Sequence, residues 1–341
     1  MNHTDFFAAL KAGQVAGLYL FQGAEEHVKR SALERLRAQV LPNGLETLCE
    51  SVLDNPTADD LIAAAETLPM MGGRRLVVVW DSALLMAGRA KDEAADSARL
   101  VDYLPTLPSD TTVVFYCRGV VDGRKKLSSA LGKLAVCVRF DPLDDQELGR
   151  WVRGTLKGYG KAITPAVVQK LAFTAGRDLS ALAGELAKLA DYLGPRTEVT
   201  GEDIDTVVTR SLECTVFQLV DALVEGRQTE AFELLAYMLD RGEMRLGILA
   251  MVLRQYRTLL MLKLMQAERV PQGQWAQRVG IPPFAVNRAL RQAQAYTLAE
   301  VQAAVALCVD TDYAVKSGRL REEMALDRAM LMLGRPARTE D

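Results

Sequence analysis

Residues 57–80 read TADDLIAAAETLPMMGGRRLVVVW, and this stretch decides the fold. Its last five residues, Leu76-Val77-Val78-Val79-Trp80, are apolar without alternation, as expected of a strand covered on both faces. Its first half is helical. Thr57 and Asp60 make a cap-like pair, and Ala58, Leu61, Ile62 and Ala65 recur at helical spacing, which turns one face toward a sheet. Pro69 pushes Leu68 out of the α region, so the helix is predicted over 58–68. Gly72-Gly73 permit a sharp reversal before Arg74-Arg75 lead into the strand. Leu68, Met70 and Met71 therefore fall on a helix-to-strand corner, where chains run over the surface.

The same alternation extends on both sides. Strand-type runs occur at 17–21, 48–52, 112–117 and 135–140, and helix-type segments at 26–40, 96–104 and 124–133. Strands alternating with helices imply a doubly wound parallel sheet. At Phe140-Asp141-Pro142 the character changes and no convincing strand follows. Asp144 with Glu147, Thr164 before Pro165, Asp178, and Thr200 with Asp203 each read as helix starts. A longer helical region begins near Ser211. In it, 243–266 carries Leu246, Leu249, Ala250, Leu253, Leu260 and Leu264 near helical spacing, and Asp312 with Lys316 forms a favourable pair four residues apart. The expected class is α/β plus all-α: a parallel-sheet domain over 1–140, a small helical domain over 141–210 and a larger helical domain over 211–341.

The glycine after the first strand invites a search for a phosphate loop, but Gly23 stands alone and Glu25 and Glu26 occupy the loop. Without a G-x-x-x-x-G-K-[ST] run there is no lysine placed for terminal phosphates, and two carboxylates repel a triphosphate. Asp81 is the nearest candidate for a magnesium-holding acid after a strand, and it has no acidic neighbour. The two histidines, His3 and His27, form no HExxH, and no G-x-S-x-G elbow occurs. The residues thus supply no catalytic site, no cofactor site and no metal site. Gly23 reads as a turn.

At 341 residues, 49% hydrophobic and 25% charged, the chain is long enough for two or three domains with ordinary cores. A net charge of −3 gives the whole molecule no strong attraction for polyanions. Residues 211–341 carry 16 basic and 16 acidic side chains, so they form no basic platform. No apolar run spans a membrane, and the N-terminus does not read as a signal peptide. Five scattered cysteines without CxxC suggest reduced, buried thiols in a cytoplasmic protein. Methionine is flexible and polarizable, so the Leu68–Met71 corner suits a partner's pocket, where three such side chains would contribute roughly 4 to 9 kcal/mol before ordering costs. The pattern alone leaves open whether they instead tuck under the chain's own sheet.

In order and spacing, several segments resemble the delta subunit of the bacterial DNA polymerase III clamp loader. They are Leu18–Glu26, Leu68–Val79, Asp122–Leu127, Gly176–Leu189, Phe217–Leu223, Arg254–Leu259 and the closing Asp312-Tyr313-Ala314-Val315-Lys316. The resemblance covers nearly the whole chain. It implies an AAA+ type module of sheet domain and helical lid, a C-terminal helical collar domain, and no ATP hydrolysis by this chain. It implies a heteropentamer with gamma/tau ATPase subunits and a delta-prime subunit, within a DNA polymerase holoenzyme. It places Leu68, Met70 and Met71 at the positions that grip the sliding clamp (beta subunit), with methionine where family members often carry an aromatic residue. Arg124, Lys125 and Lys126 are candidates to face primer–template DNA in the assembly, with a solvated helix face as the competing reading. The alternatives are an ATPase with an atypical phosphate loop and a free-standing nucleic-acid-binding protein.

Overall fold

The apolar strands of the first half assemble side by side into one parallel sheet. A computed structural model describes residues 1–41, 46–69, 73–86, 93–119, 121–281 and 283–334. The chain forms two compact units, 1–148 and 149–341. In the first the elements run α1 (His3–Lys11), β1 (Leu18–Gln22), α2 (Glu26–Val40), α3 (Glu46–Cys49), β2 (Glu50–Asp54), α4 (Ala58–Glu66), β3 (Arg75–Trp80), α5 (Glu93–Tyr103), β4 (Thr111–Tyr116), α6 (Lys126–Leu134) and β5 (Val136–Arg139). The sheet order is β2-β3-β4-β1-β5, with every pairing parallel. Leu18 and Val77 both stand beside Val113, so the central register aligns apolar residues across three strands.

Burial follows the strand order. β4 is buried throughout, and β1 and β3 in all but their last residue, whereas the edge strand β2 is half open, with Val52 exposed. On one face α4 packs Ala58, Leu61 and Ala65 into a core with Val77, Val79, Leu100, Val113, Phe115 and Leu127. On the other, Phe6 of α1 meets Tyr19 and Phe21 edge-on at 5.6 and 5.2 Å between ring centroids, a favoured aromatic geometry. The sequence reading contains no helix at α1. Asn2 caps it by accepting from the Asp5 N–H, and the Met1 ammonium donates to the Cys137 carbonyl at 2.8 Å, so contact with the edge of the sheet fixes this short segment.

The remaining elements are α7 (Asp145–Gly158), which crosses the boundary, β6 (Ala162–Ile163), α8 (Pro165–Ala175), α9 (Leu179–Leu193), β7 (Glu198–Val199), α10 (Gly201–Val207), α11 (Leu212–Val224), α12 (Gln228–Asp240), α13 (Arg245–Ala267), α14 (Trp275–Val279), α15 (Pro283–Gln294), α16 (Leu298–Lys316) and α17 (Glu322–Leu333). Asp144 and Glu147 cap each other reciprocally, and Thr164, Asp178 and Thr200 accept from the backbone of their first turns, as their spacing predicts.

Two expectations are corrected here. The region after Phe140 does contain strands, β6 and β7, which pair in parallel. Each has two residues, too few to show a period. In α13 the buried stripe is Ile248, Leu249, Val252, Tyr256, Leu259, Leu262 and Met265, while Ala250 and Leu264 are exposed. That helix is apolar on several sides, so spacing alone could not select the face that packs. The Asp312–Lys316 pair forms at 2.7 Å.

Candidate functional site

The corner after α4 is built on a braced helix end. The Thr57–Asp60 capping box closes the N-terminus of α4. At its C-terminus, carbonyls that a helix leaves without partners are taken up one by one. Thr67 Oγ1 donates to Ala63 O at 2.8 Å, Arg75 Nε to Ala64 O at 2.6 Å, and Thr111 Oγ1 to Ala65 O at 3.0 Å. Arg75 is only 6% exposed, and its second guanidinium nitrogen donates to Ser51 Oγ at 2.7 Å. Hydrogen bonds from a buried charged donor contribute about 1.5 to 3 kcal/mol each, so the base of the corner is fixed by β3, β4 and α4 together. The positive charge also suits a helix C-terminus.

The helix ends at Glu66 and not at the expected Leu68, because Thr67 already leaves the α region with ψ at 122°. Leu68 follows at 81% exposure, the highest of any large apolar side chain among the described residues. For Leu68, therefore, the reading in which it tucks under the sheet is wrong. Met70 and Met71 lie outside the described residues. After them Arg74 donates to Ser109 O at 3.3 Å, and the Arg75 N–H to Asp110 O at 2.8 Å, which fastens the chain as it enters β3.

The opposite end of the sheet, where the strands finish, is filled by the protein itself. Gly23 has φ of +122°, and a Cβ there would meet Phe140 O at 2.2 Å. The Gly23 N–H donates to Gly119 O at 3.1 Å and the Glu25 N–H to Phe140 O at 2.9 Å. Amides that would cradle an anion in a phosphate loop are thus spent on carbonyls. Beneath them Lys29 is fully buried. It donates to Cys117 O at 2.7 Å, pairs with Glu26 at 3.1 Å and lies 5.0 Å from the centre of the Tyr116 ring. Tyr116 donates to Glu26 Oε1 at 2.6 Å. Burial alone would raise the Glu26 pKa, but the hydrogen bonds from Tyr116 and Lys29 outweigh it and hold the carboxyl below its ordinary value. Burial, then Glu26, raises the Tyr116 pKa. Burial pushes the neighbouring Cys117 thiol up to about 12. Asp81, the acid considered for magnesium, instead accepts from the Arg118 N–H at 2.9 Å and pairs with its guanidinium.

Sequence reasoning missed the Lys29–Glu26–Tyr116 cluster. The Glu26, Lys29 and Arg30 spacing was legible as helical ion pairing, but nothing local marked Lys29 as buried. Among the described residues no group of three or more His, Cys, Asp or Glu gathers as metal ligands.

Arg124, Lys125 and Lys126 lie at this filled end and occupy three different environments. Arg124 is exposed and folds back on Asp122, with contacts of 2.9 and 2.8 Å that hold the Asp122 carboxyl down at about 2. Lys125 is half-buried and donates to Ala83 O at 2.8 Å. Lys126 is exposed at the first position of α6. The expected helix over 124–133 starts two residues late, because the Asp122–Arg124 turn precedes it.

A parallel sheet in the order 5-1-4-3-2, closed at its nucleotide end and continued by a helical unit, defines an AAA+-related protein. A family model described as DNA polymerase III, delta subunit matches residues 19–141, and one described as its C-terminal domain matches residues 213–333. A Bacillus subtilis (strain 168) protein named DNA polymerase III subunit delta is 28% identical over 333 residues, covering 96% of each chain. The solved structure of a Bacillus subtilis DNA clamp loader delta protein superposes with a TM-score of 0.60 and 28% identity, covering 97% of this chain and 99% of that one. The chain belongs to the DNA polymerase III delta subunit family.

Proposed function

We propose that this chain is a non-hydrolysing clamp loader subunit that grips and opens the ring-shaped sliding clamp for loading onto primed DNA. The observation that carries the reading is Leu68, an 81% exposed leucine on a corner whose base is braced by Arg75 and Thr111. An apolar side chain held out on a rigid support loses little further freedom on binding, so more of its burial appears as affinity. Met70 and Met71 join Leu68 in this reading by their match to the family's gripping positions alone. Binding energy at the corner opens the clamp only in so far as the corner prefers the open or distorted interface to the closed one.

The remaining parts of the reading follow from family membership. Gamma/tau ATPase subunits and a delta-prime subunit are the partners in a cytoplasmic heteropentamer. Residues 1–140, 141–210 and 211–341 act as sheet domain, lid and collar, the collar joining the pentamer. ATP bound by the neighbours exposes the corner, and hydrolysis triggered by primer–template DNA withdraws it. Of the basic segment, Lys126 is exposed at the start of α6 and Arg124 is exposed but paired with Asp122, and these two would approach that DNA. In Lys125 the ammonium is engaged by the Ala83 carbonyl.

The test is binding of the isolated chain to its sliding clamp, with Leu68→Ala/Met71→Ala against the parent chain. Weaker clamp binding with unchanged assembly into the loader supports the assignment. Equal clamp affinity of the two chains defeats it.

A further inference from the structure

Away from the corner, the helical unit contains a cavity of about 290 Å³ between α8, α10, α11 and α15. Three cations reach it from three directions: Lys170 on α8, Arg210 from the turn after α10, and Arg288 on α15. One carboxylate, Asp205, faces them and pairs with Lys170. Arg288 is backed by Asp221 at 3.0 Å and lies over the rings of Phe173 and Phe217, at 5.0 and 4.8 Å from their centres. Arg210 has no acidic partner among the described residues.

The donors are under-used. Lys170 gives one hydrogen bond to Gly201 O and one to Asp205, leaving one of its three. Among the described residues none of the five Arg210 N–H groups has a partner, and Arg288 directs one nitrogen at Asp221. On the wall formed by α11, Gln218 Oε1 is buried with no partner, and turning that amide over presents its NH₂ group instead. Burial raises the nearby Cys214 pKa while Arg288 and Arg210 oppose it, as expected if both guanidiniums lie close to the same wall. Phe173 and Cys214 make part of the lining apolar, which strengthens charge–charge attraction inside it.

Convergent donors in a partly enclosed basic cavity suit an oxyanion with several acceptor oxygens better than a flat carboxylate. We propose that this cavity binds the phosphate group of a small soluble anion, such as inorganic pyrophosphate or a phosphate ester. The site is separate from the clamp-gripping corner and does not rest on that reading.

The test is calorimetric titration of the full chain with inorganic pyrophosphate at ionic strength held constant with sodium chloride. Saturable binding is expected, with affinity falling about tenfold or more in Arg210→Glu and in Lys170→Met, which act from different segments of the lining. Arg210 is exposed, so Arg210→Glu should melt at the parent temperature in phosphate-free buffer and isolates the charge from the fold. No saturable heat with pyrophosphate overturns the proposal, as does equal affinity in Arg210→Glu. A parallel titration with a short single-stranded oligonucleotide separates the sources of phosphate. Arg210-dependent binding of the oligonucleotide without binding of pyrophosphate overturns the small-anion assignment.

Discussion

The two ends of the parallel sheet have been put to opposite uses. At the end where strands finish, which in open α/β sheets is where ligands bind, the backbone amides of Gly23 and Glu25 bond to carbonyls and a fully buried lysine fills the space below. At the end where strands begin, the helix terminus is braced by three side-chain donors and the chain then projects an exposed leucine. Strands of five or six residues separate the two ends by roughly 20 Å. One end is polar, satisfied and inward-looking. The other is apolar and open. The comparison teaches that one parallel sheet can close one end with its own side chains, where Lys29, Glu26 and Tyr116 hold the strand ends together, and leave the other end open.

The largest expected effect tests the open end. Leu68→Ala/Met71→Ala should weaken binding to the sliding clamp by about 4 kcal/mol, roughly a thousandfold, with thermal stability unchanged; surface plasmon resonance and a melting curve read the two quantities. An unchanged affinity would break the contrast between the ends. Next in size, Lys29→Ala should lower unfolding stability by about 3 kcal/mol in urea titration, since it strips Glu26 and Tyr116 of their shared cation inside the fold. Stability within about 0.5 kcal/mol of the parent would show the filled end to be dispensable. Gly23→Ala should cost about 2 to 3 kcal/mol by the same measurement, because positive φ and the Phe140 carbonyl both oppose a side chain there.

The smallest effect is a pH dependence. The Glu26 pKa is lowered in the folded chain, so its carboxylate favours folding above the unfolded carboxyl range of about 4.3. That contribution is lost as pH falls through the lower folded value. Glu26→Gln should flatten the acid limb of the stability curve below about pH 5, and an unaltered limb would remove Glu26 from the account.

Much of the first unit was legible locally. The apolar runs fixed β1, β3 and β4, because strands buried on both faces cannot alternate, and α2 spans the expected residues 26–40. The Thr57, Thr164, Asp178 and Thr200 caps were readable for the same reason: a cap is a contact within three residues. What escaped depends on distant chain. β6 and β7 exist only as each other's partner, α1 is placed by the sheet edge, and the packed face of α13 is chosen by the helices around it.

The site divides along the same line. Sequence alone pointed to a corner between Leu68 and Arg75, since Pro69 bars its predecessor from the helix and paired glycines allow a sharp reversal. It also determined that the loop at Gly23 lacks the residues of a phosphate cradle. Only the tertiary structure decided that Leu68 stands in solvent, that Arg75 and Thr111 brace the helix behind it, and that Lys29 is sealed beneath Cys117. Local backbone preferences act through neighbours in the chain, whereas burial is set by distant chain, and the buried Lys29 finds its carbonyl partner 88 positions away.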